Sequence, residues 1–128
     1  MKNWKKSLVI LWTAFLLICL GVTVAEVQTK FIRRIIDNVI YDNRNHYLSC
    51  EQLPTASKVM QVVEEHQDII KEIEQVKPGF VGMDIDTFSC PEMADIVFWY
   101  GSHQDRVTIE SIINDDTFFG VPYRLHNR

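Results

Sequence analysis

The longest apolar stretch of the chain is an uncharged run from Ser7 to Ala25 that holds Leu8, Val9, Ile10, Leu11, Trp12, Phe15, Leu16, Leu17, Ile18 and Leu20. It follows Lys2, Lys5 and Lys6. Its length is close to the roughly 20 residues a helix needs to cross the hydrocarbon of a bilayer, which reads as an anchor. The basic residues in front, Gly21 near its end and the small residues of Thr23-Val24-Ala25 read equally as a signal peptide cleaved before Glu26. Residues 1–25 are expected to be one or the other, with membrane contact through residues 7–25.

Beyond the run, Val27, Phe31, Ile35 and Val39 recur every four residues, with Ile32, Ile36 and Ile40 on the adjoining ridge. This is the period of an amphipathic helix over residues 26–41. If the apolar run is retained, the two helices join into a rod of roughly 34 residues, about 50 Å long. Asp42-Asn43-Arg44-Asn45 is a polar break, so residues 26–54 form an amphipathic helix and a connector. Thr55 or Ser57 can then cap a second helix. Val59, Val62, Val63, Ile69, Ile70, Ile73 and Val76 trace its apolar stripe, Glu64, Glu65, Asp68, Glu72 and Glu74 its wet face, and Pro78-Gly79 its end.

The period then falls from 3.6 to 2. Val81, Met83 and Ile85 alternate with Gly82, Asp84 and Asp86, as in a strand with one buried face. Residues 95–100 are apolar on both faces after Asp95 and read as a central strand. Ser102 caps a third helix carrying Val107, Ile109, Ile112 and Ile113, and Asn114-Asp115-Asp116 ends it. The tail from Phe118 to Leu125 is strand-like, and Pro122, which has no N–H to give to a ladder, assigns it to a sheet edge. After the apolar helix the order is helix, helix, strand, strand, helix, strand: an α+β class, with residues 55–128 a small single domain whose helices pack on a small sheet.

Charge sharpens the picture. The net charge of −4 includes three lysines ahead of the apolar run, and without them ten basic residues face 17 acidic ones, a net −7. A body this acidic repels phosphate backbones, so no nucleic-acid partner is expected. Lys30, Arg33 and Arg34 are the one basic cluster, read either as a solvated helix face or as a contact for lipid headgroups or a juxtamembrane partner. These residues balance the lysines before the run, so the positive-inside rule barely distinguishes the two orientations. The cysteines do more. With Cys19 inside the run, Cys50 and Cys90 are left as a pair that reads either as two reduced core thiols or as one disulfide, and the latter implies an extracytoplasmic domain, anchored or secreted after cleavage near Ala25.

Three places could carry chemistry. Asp84 and Asp86 share a strand face, some 6 to 7 Å apart, a spacing open to acid and base work, to a hard cation such as Ca²⁺ for which no third ligand is indicated, or to the solvated outer face of a sheet. Residues 100–106 pass from a strand through Gly101 into a helix start, where free N–H groups favour an anion and His103, beside Ser102 and Asp105, could move a proton. Residues 118–125 offer Phe119 and Tyr123 on an edge where a protein partner or a second copy could pair. His66 lies near the apolar stripe of the second helix, and His46 and His126 stand in polar surroundings without a signal. No metal-ligand spacing and no cofactor motif is present. The expected function is a tethered or secreted module that binds a protein or envelope component. The alternative is a small hydrolase or ligand-binding enzyme using Asp84, Asp86 and His103.

Overall fold

The computed structural model describes residues 2–128. It divides into two compact units, one ending at Ile35 and one from Ile36 to Arg128. The first holds α1 (Lys2–Thr29) and the short α2 (Phe31–Ile35). Over Trp4–Thr29 helix α1 is 26 residues of apolar composition with no part of its apolar window buried. At 1.5 Å per residue it is about 39 Å long, enough to pass the roughly 30 Å hydrocarbon of a bilayer. The unbroken rod expected from the four-residue period is not formed. Lys30 adopts a left-handed backbone with φ 53°, and the Glu26 carboxylate accepts the Ile32 and Arg33 N–H groups at 2.7 and 3.0 Å, which fixes a new helix start. A non-glycine residue takes this conformation only where neighbouring bonds compensate it.

The second unit begins with a π-helical turn (Ile36–Ile40), an extended connector and a 3₁₀ turn (Cys50–Gln52). There follow α3 (Ala56–Glu65), α4 (Gln67–Glu74), β1 (Gly82–Asp86), β2 (Asp95–Tyr100), α5 (His103–Ile113), β3 (Thr117–Phe118) and β4 (Val121–Asn127). The strands form one sheet in the order β1-β2-β4-β3. Strand β2 is central, as its two apolar faces indicate. It is antiparallel to β1 and parallel to β4, which it reaches through the α5 crossover.

The expected single second helix is divided at His66. Its ring stands 2.9 Å from the Val62 carbonyl that already accepts the His66 N–H, and φ −122° takes the residue out of helical geometry. The apolar stripe survives the break: Val59, Val62 and Val63 of α3 and Ile70 and Ile73 of α4 reach one core. Thr55 caps α3 and Ser102 caps α5 by accepting N–H groups three residues on. Helices α3, α4 and α5 cover one sheet face, where Ile96, Phe98, Tyr100, Val121, Tyr123 and Leu125 are all buried.

The assignment of the tail to an edge is corrected. Strand β4 has β2 on one side, and on the other it has β3 and then Arg44, which exchanges two 2.9 Å backbone bonds with Leu125. Pro122 is tolerated because the ladder with β2 begins one residue later, at Tyr123. The strand that ends the sheet on the other side is β1.

Cys50 and Cys90 are bonded, with Cα atoms 5.5 Å apart across a separation of 40 residues. The bond ties the connector to the loop between β1 and β2. Beside it Ala94 donates its N–H to the Pro54 carbonyl and Ala56 donates to that of Glu92, each at 3.0 Å. Closing a loop of that length stabilises a domain by about 3 to 4 kcal/mol, chiefly by restricting the unfolded chain. Replacing both cysteines with serine is therefore expected to lower the unfolding free energy by about that amount in a guanidinium titration, with reduction of the parent protein giving the same loss.

Candidate functional site

The sheet face opposite the helices carries Asp84, Asp86, Asp95, Val97, Trp99, Arg124 and His126, as the period of 2 dictates. Gly82 is opposite Trp99 in the ladder, and a Cβ there would fall inside the indole, so the glycine lets the ring settle against β1. The Arg128 guanidinium lies 5.4 Å from the centre of that ring.

At the other end of this face four segments converge. The register sets Asp86 of β1 opposite Asp95 of β2. Arg124 of β4 donates to Asp95 from Nε at 2.5 Å and from Nη2 at 2.9 Å, and its Nη2 donates to Asp86 at 2.5 Å. His46 of the connector brings Nε2 within 2.7 Å of Asp95. The Leu48 N–H donates to Nδ1 of the same ring at 3.0 Å, which assigns the ring hydrogen to Nε2 as the donor to Asp95. Asp86 also accepts the Ser89 hydroxyl at 2.6 Å and the Phe88 and Ser89 N–H groups at 3.0 Å, which shapes the loop that carries Cys90.

Electrostatics follow from that geometry. Burial would raise the Asp95 carboxyl, but the bonds from His46 and Arg124 outweigh it and hold the group below the usual carboxylate range. Asp86 is likewise held well below that range, burial being overcome by Ser89, Arg124 and Phe88. Burial alone would lower Arg124, yet its two carboxylates raise it above an ordinary arginine. A general base works best with a pKa near the operating pH, and these carboxylates are driven away from it. Both nitrogens of His46 are engaged as well. The cluster is built to hold four segments together.

Two depressions flank it. One of about 220 Å³ lies between the connector and the disulfide, lined by His46, Tyr47, Leu48, Leu53, Cys90 and the ion cluster. The other, about 300 Å³, is lined by Asp84, Asp86, Phe88, Val97, Arg124, His126 and Arg128 among others. Asp84 and Asp86 thus share a depression, as their spacing indicates, and His103 lines neither. The Asp84 carboxylate accepts the N–H of Ile85 in its own strand at 2.8 Å.

His103 belongs to a second network, at the far end of β2. Its Nδ1 lies 2.7 Å from Asp42, and Arg106 donates to the same oxygen at 2.9 Å, to Asn38 at 2.6 Å and to Glu110 at 3.2 Å. The Tyr100 hydroxyl donates to the Asp42 carbonyl. The anion that this helix start favours is therefore supplied by the chain itself, and Ser102 acts as the cap of α5. Of the tail residues, Tyr123 is buried, accepting from Arg44 at 3.0 Å and donating to the Asp115 carbonyl at 3.1 Å. Phe119 is exposed and stacks on His66 with 3.6 Å between ring centres.

His46, Asp95 and Arg124 escaped the sequence reading. Asp95 opens an apolar strand and Arg124 alternates with Tyr123 and Leu125, which places both on the face away from the core; His46 gave no signal. Among the described residues no group of three or more His, Cys, Asp or Glu is placed to hold a metal ion. No protein-family model matches the chain, and neither a curated protein nor a solved structure matches it.

Removing the arginine from this half-buried cluster leaves Asp95, its one buried member, without a charged hydrogen-bond donor, a loss of about 1.5 to 3 kcal/mol. Arg124→Met is expected to lower the stability of the second unit, the head of the protein from Ile36 to Arg128, by that amount at neutral pH in guanidinium unfolding. Because the folded pKa values of Asp86 and Asp95 are depressed, their contribution is complete above the ordinary carboxylate range near pH 4 and is lost as the pH falls below it. The gap between parent and variant is expected to close on acidification below that range.

Proposed function

We propose that the protein is an extracytoplasmic binding module held at a membrane by a retained α1, and that its partner is a protein or envelope component. The observation that carries this is the exposed apolar helix Trp4–Thr29 in the same chain as a head closed by Cys50 and Cys90. Apolar surface of this extent is stable where lipid replaces water, and a disulfide persists where the compartment is oxidising.

Retention is favoured over cleavage because Thr23-Val24-Ala25 lies inside α1, which continues to Thr29. A binding role is favoured over a hydrolase using Asp84, Asp86 and His103 because His103 pairs with Asp42 and Asp86 with Arg124, in separate networks. The exposed aromatic groups of the head suit recognition better. Phe88 is 97% exposed at the tip of a loop fixed by Asp86 and the disulfide, and Phe119 is held against His66. Aromatic side chains on rigid supports are common anchors of protein interfaces.

The test is the N-terminal residue of the protein recovered from cells, with a thiol titration before and after reduction. A chain that keeps residues 1–25, with Cys50 and Cys90 unreactive until reductant is added, is the expected result. A chain beginning at Glu26 would replace the anchor with a secreted form. Three thiols reactive without reductant would place the head in a reducing compartment and remove the proposal.

A further inference from the structure

Where α1 ends, the structure keeps a second kind of exposed apolar surface. Val27, Phe31 and Ile35 recur every four residues with Ile32 beside Phe31; all four are exposed, Val27 at 74% and Phe31 at 62%, and Lys30, Arg33 and Arg34 are interleaved with them. From Trp4 to Thr29 the helix is about 39 Å long against a hydrocarbon of roughly 30 Å and a whole bilayer of roughly 40 to 45 Å. A spanning α1 therefore delivers residues 27–35 to the headgroup layer rather than to bulk water.

The local structure fits that depth. The helix is interrupted at Lys30, and Glu26, the one acid of residues 26–35, has its carboxylate directed onto the Ile32 and Arg33 N–H groups. The group that would repel anionic lipid is thus satisfied within the chain, while the side chains at 30, 33 and 34 are cationic. We infer that residues 26–35 form an interfacial element that recognises anionic lipid headgroups, with Phe31, Ile32 and Ile35 at the acyl boundary and Lys30 and Arg33 on lipid phosphates. The inference rests on the reading of α1 as a retained membrane span.

Its occupant is lipid rather than a second protein for two reasons on this chain. The element is continuous with the span, running from the last turn of α1 through Lys30 into α2, and its net charge is positive, as an anionic surface requires.

The test uses the full chain with Cys19→Ser and its disulfide intact. Single spin labels are placed through Phe15→Cys, Phe31→Cys or Ile35→Cys. The protein is reconstituted in vesicles of phosphatidylcholine alone or mixed with phosphatidylglycerol, and each label's accessibility to oxygen is compared with that to a water-soluble nickel chelate. The label at position 15 is expected to favour oxygen in both vesicles. Labels at 31 and 35 are expected to favour oxygen in the anionic vesicles, and Lys30→Gln with Arg33→Gln to reduce the lipid-seated population by about fivefold per charge. Chelate-accessible labels at 31 and 35 with position 15 in lipid would overturn the element alone and leave a protein as the cover of that surface. Labels at 31 and 35 that are seated in lipid regardless of charge would overturn headgroup recognition. A chelate-accessible position 15 would overturn the membrane span, and this inference with it.

Discussion

Water is a poor solvent for Trp4–Thr29. A helix of 26 residues, apolar through most of its length and with no part of its apolar window buried, marks the N-terminus as a membrane anchor or a signal peptide. That constraint organises the rest. It sets the N-terminal unit apart as a membrane anchor or signal peptide and leaves the unit from Ile36 to Arg128 to find stability within its own residues.

The head meets that requirement with a sheet packed on one face only. Three helices bury Phe98, Tyr100, Leu125 and their neighbours against it, and the opposite face must be held by other means. Arg124, Asp86, Asp95 and His46 join β1, β2, β4 and the connector at one end of this face, while Arg106 and Asp42 fasten residues 38–42 at the far end of β2. The disulfide joins the connector again at a third place. The residues from Ile36 to Pro54, which the sequence offers as the end of an amphipathic helix and a connector, are therefore a structural part of the second unit. They close the edge of β4 through Arg44 and leave the outer edge of the sheet to β1, where Asp84 and Asp86 put negative charge beside the open ladder.

Much of this was legible locally, and what was not depended on distant pairing. The apolar helix, the two caps at Thr55 and Ser102, the alternation of β1 and the doubly apolar β2 each follow from spacing within a dozen residues. The two cysteines outside the apolar run could pair only with each other or stay reduced. By contrast, β4 looked like an edge because Pro122 lacks an N–H, and only the position of the ladder, starting at Tyr123, shows why that does not matter. The breaks at His66 and Lys30 arise from a ring beside a carbonyl four residues back and from a carboxylate capping a later turn, neither of which disturbs hydrophobic periodicity. The ion cluster takes one residue from each of four segments, so no motif in the sequence could announce it. Asp86 was singled out for its neighbour Asp84, whereas its partners are Arg124 and Ser89.

The most direct measurement is alkaline extraction of membranes from cells that produce the full chain, with the intact polypeptide followed in pellet and supernatant. Retention in the pellet is expected, because a span held by hydrocarbon does not depend on charges that high pH removes. Release of the intact chain into the supernatant would contradict the account.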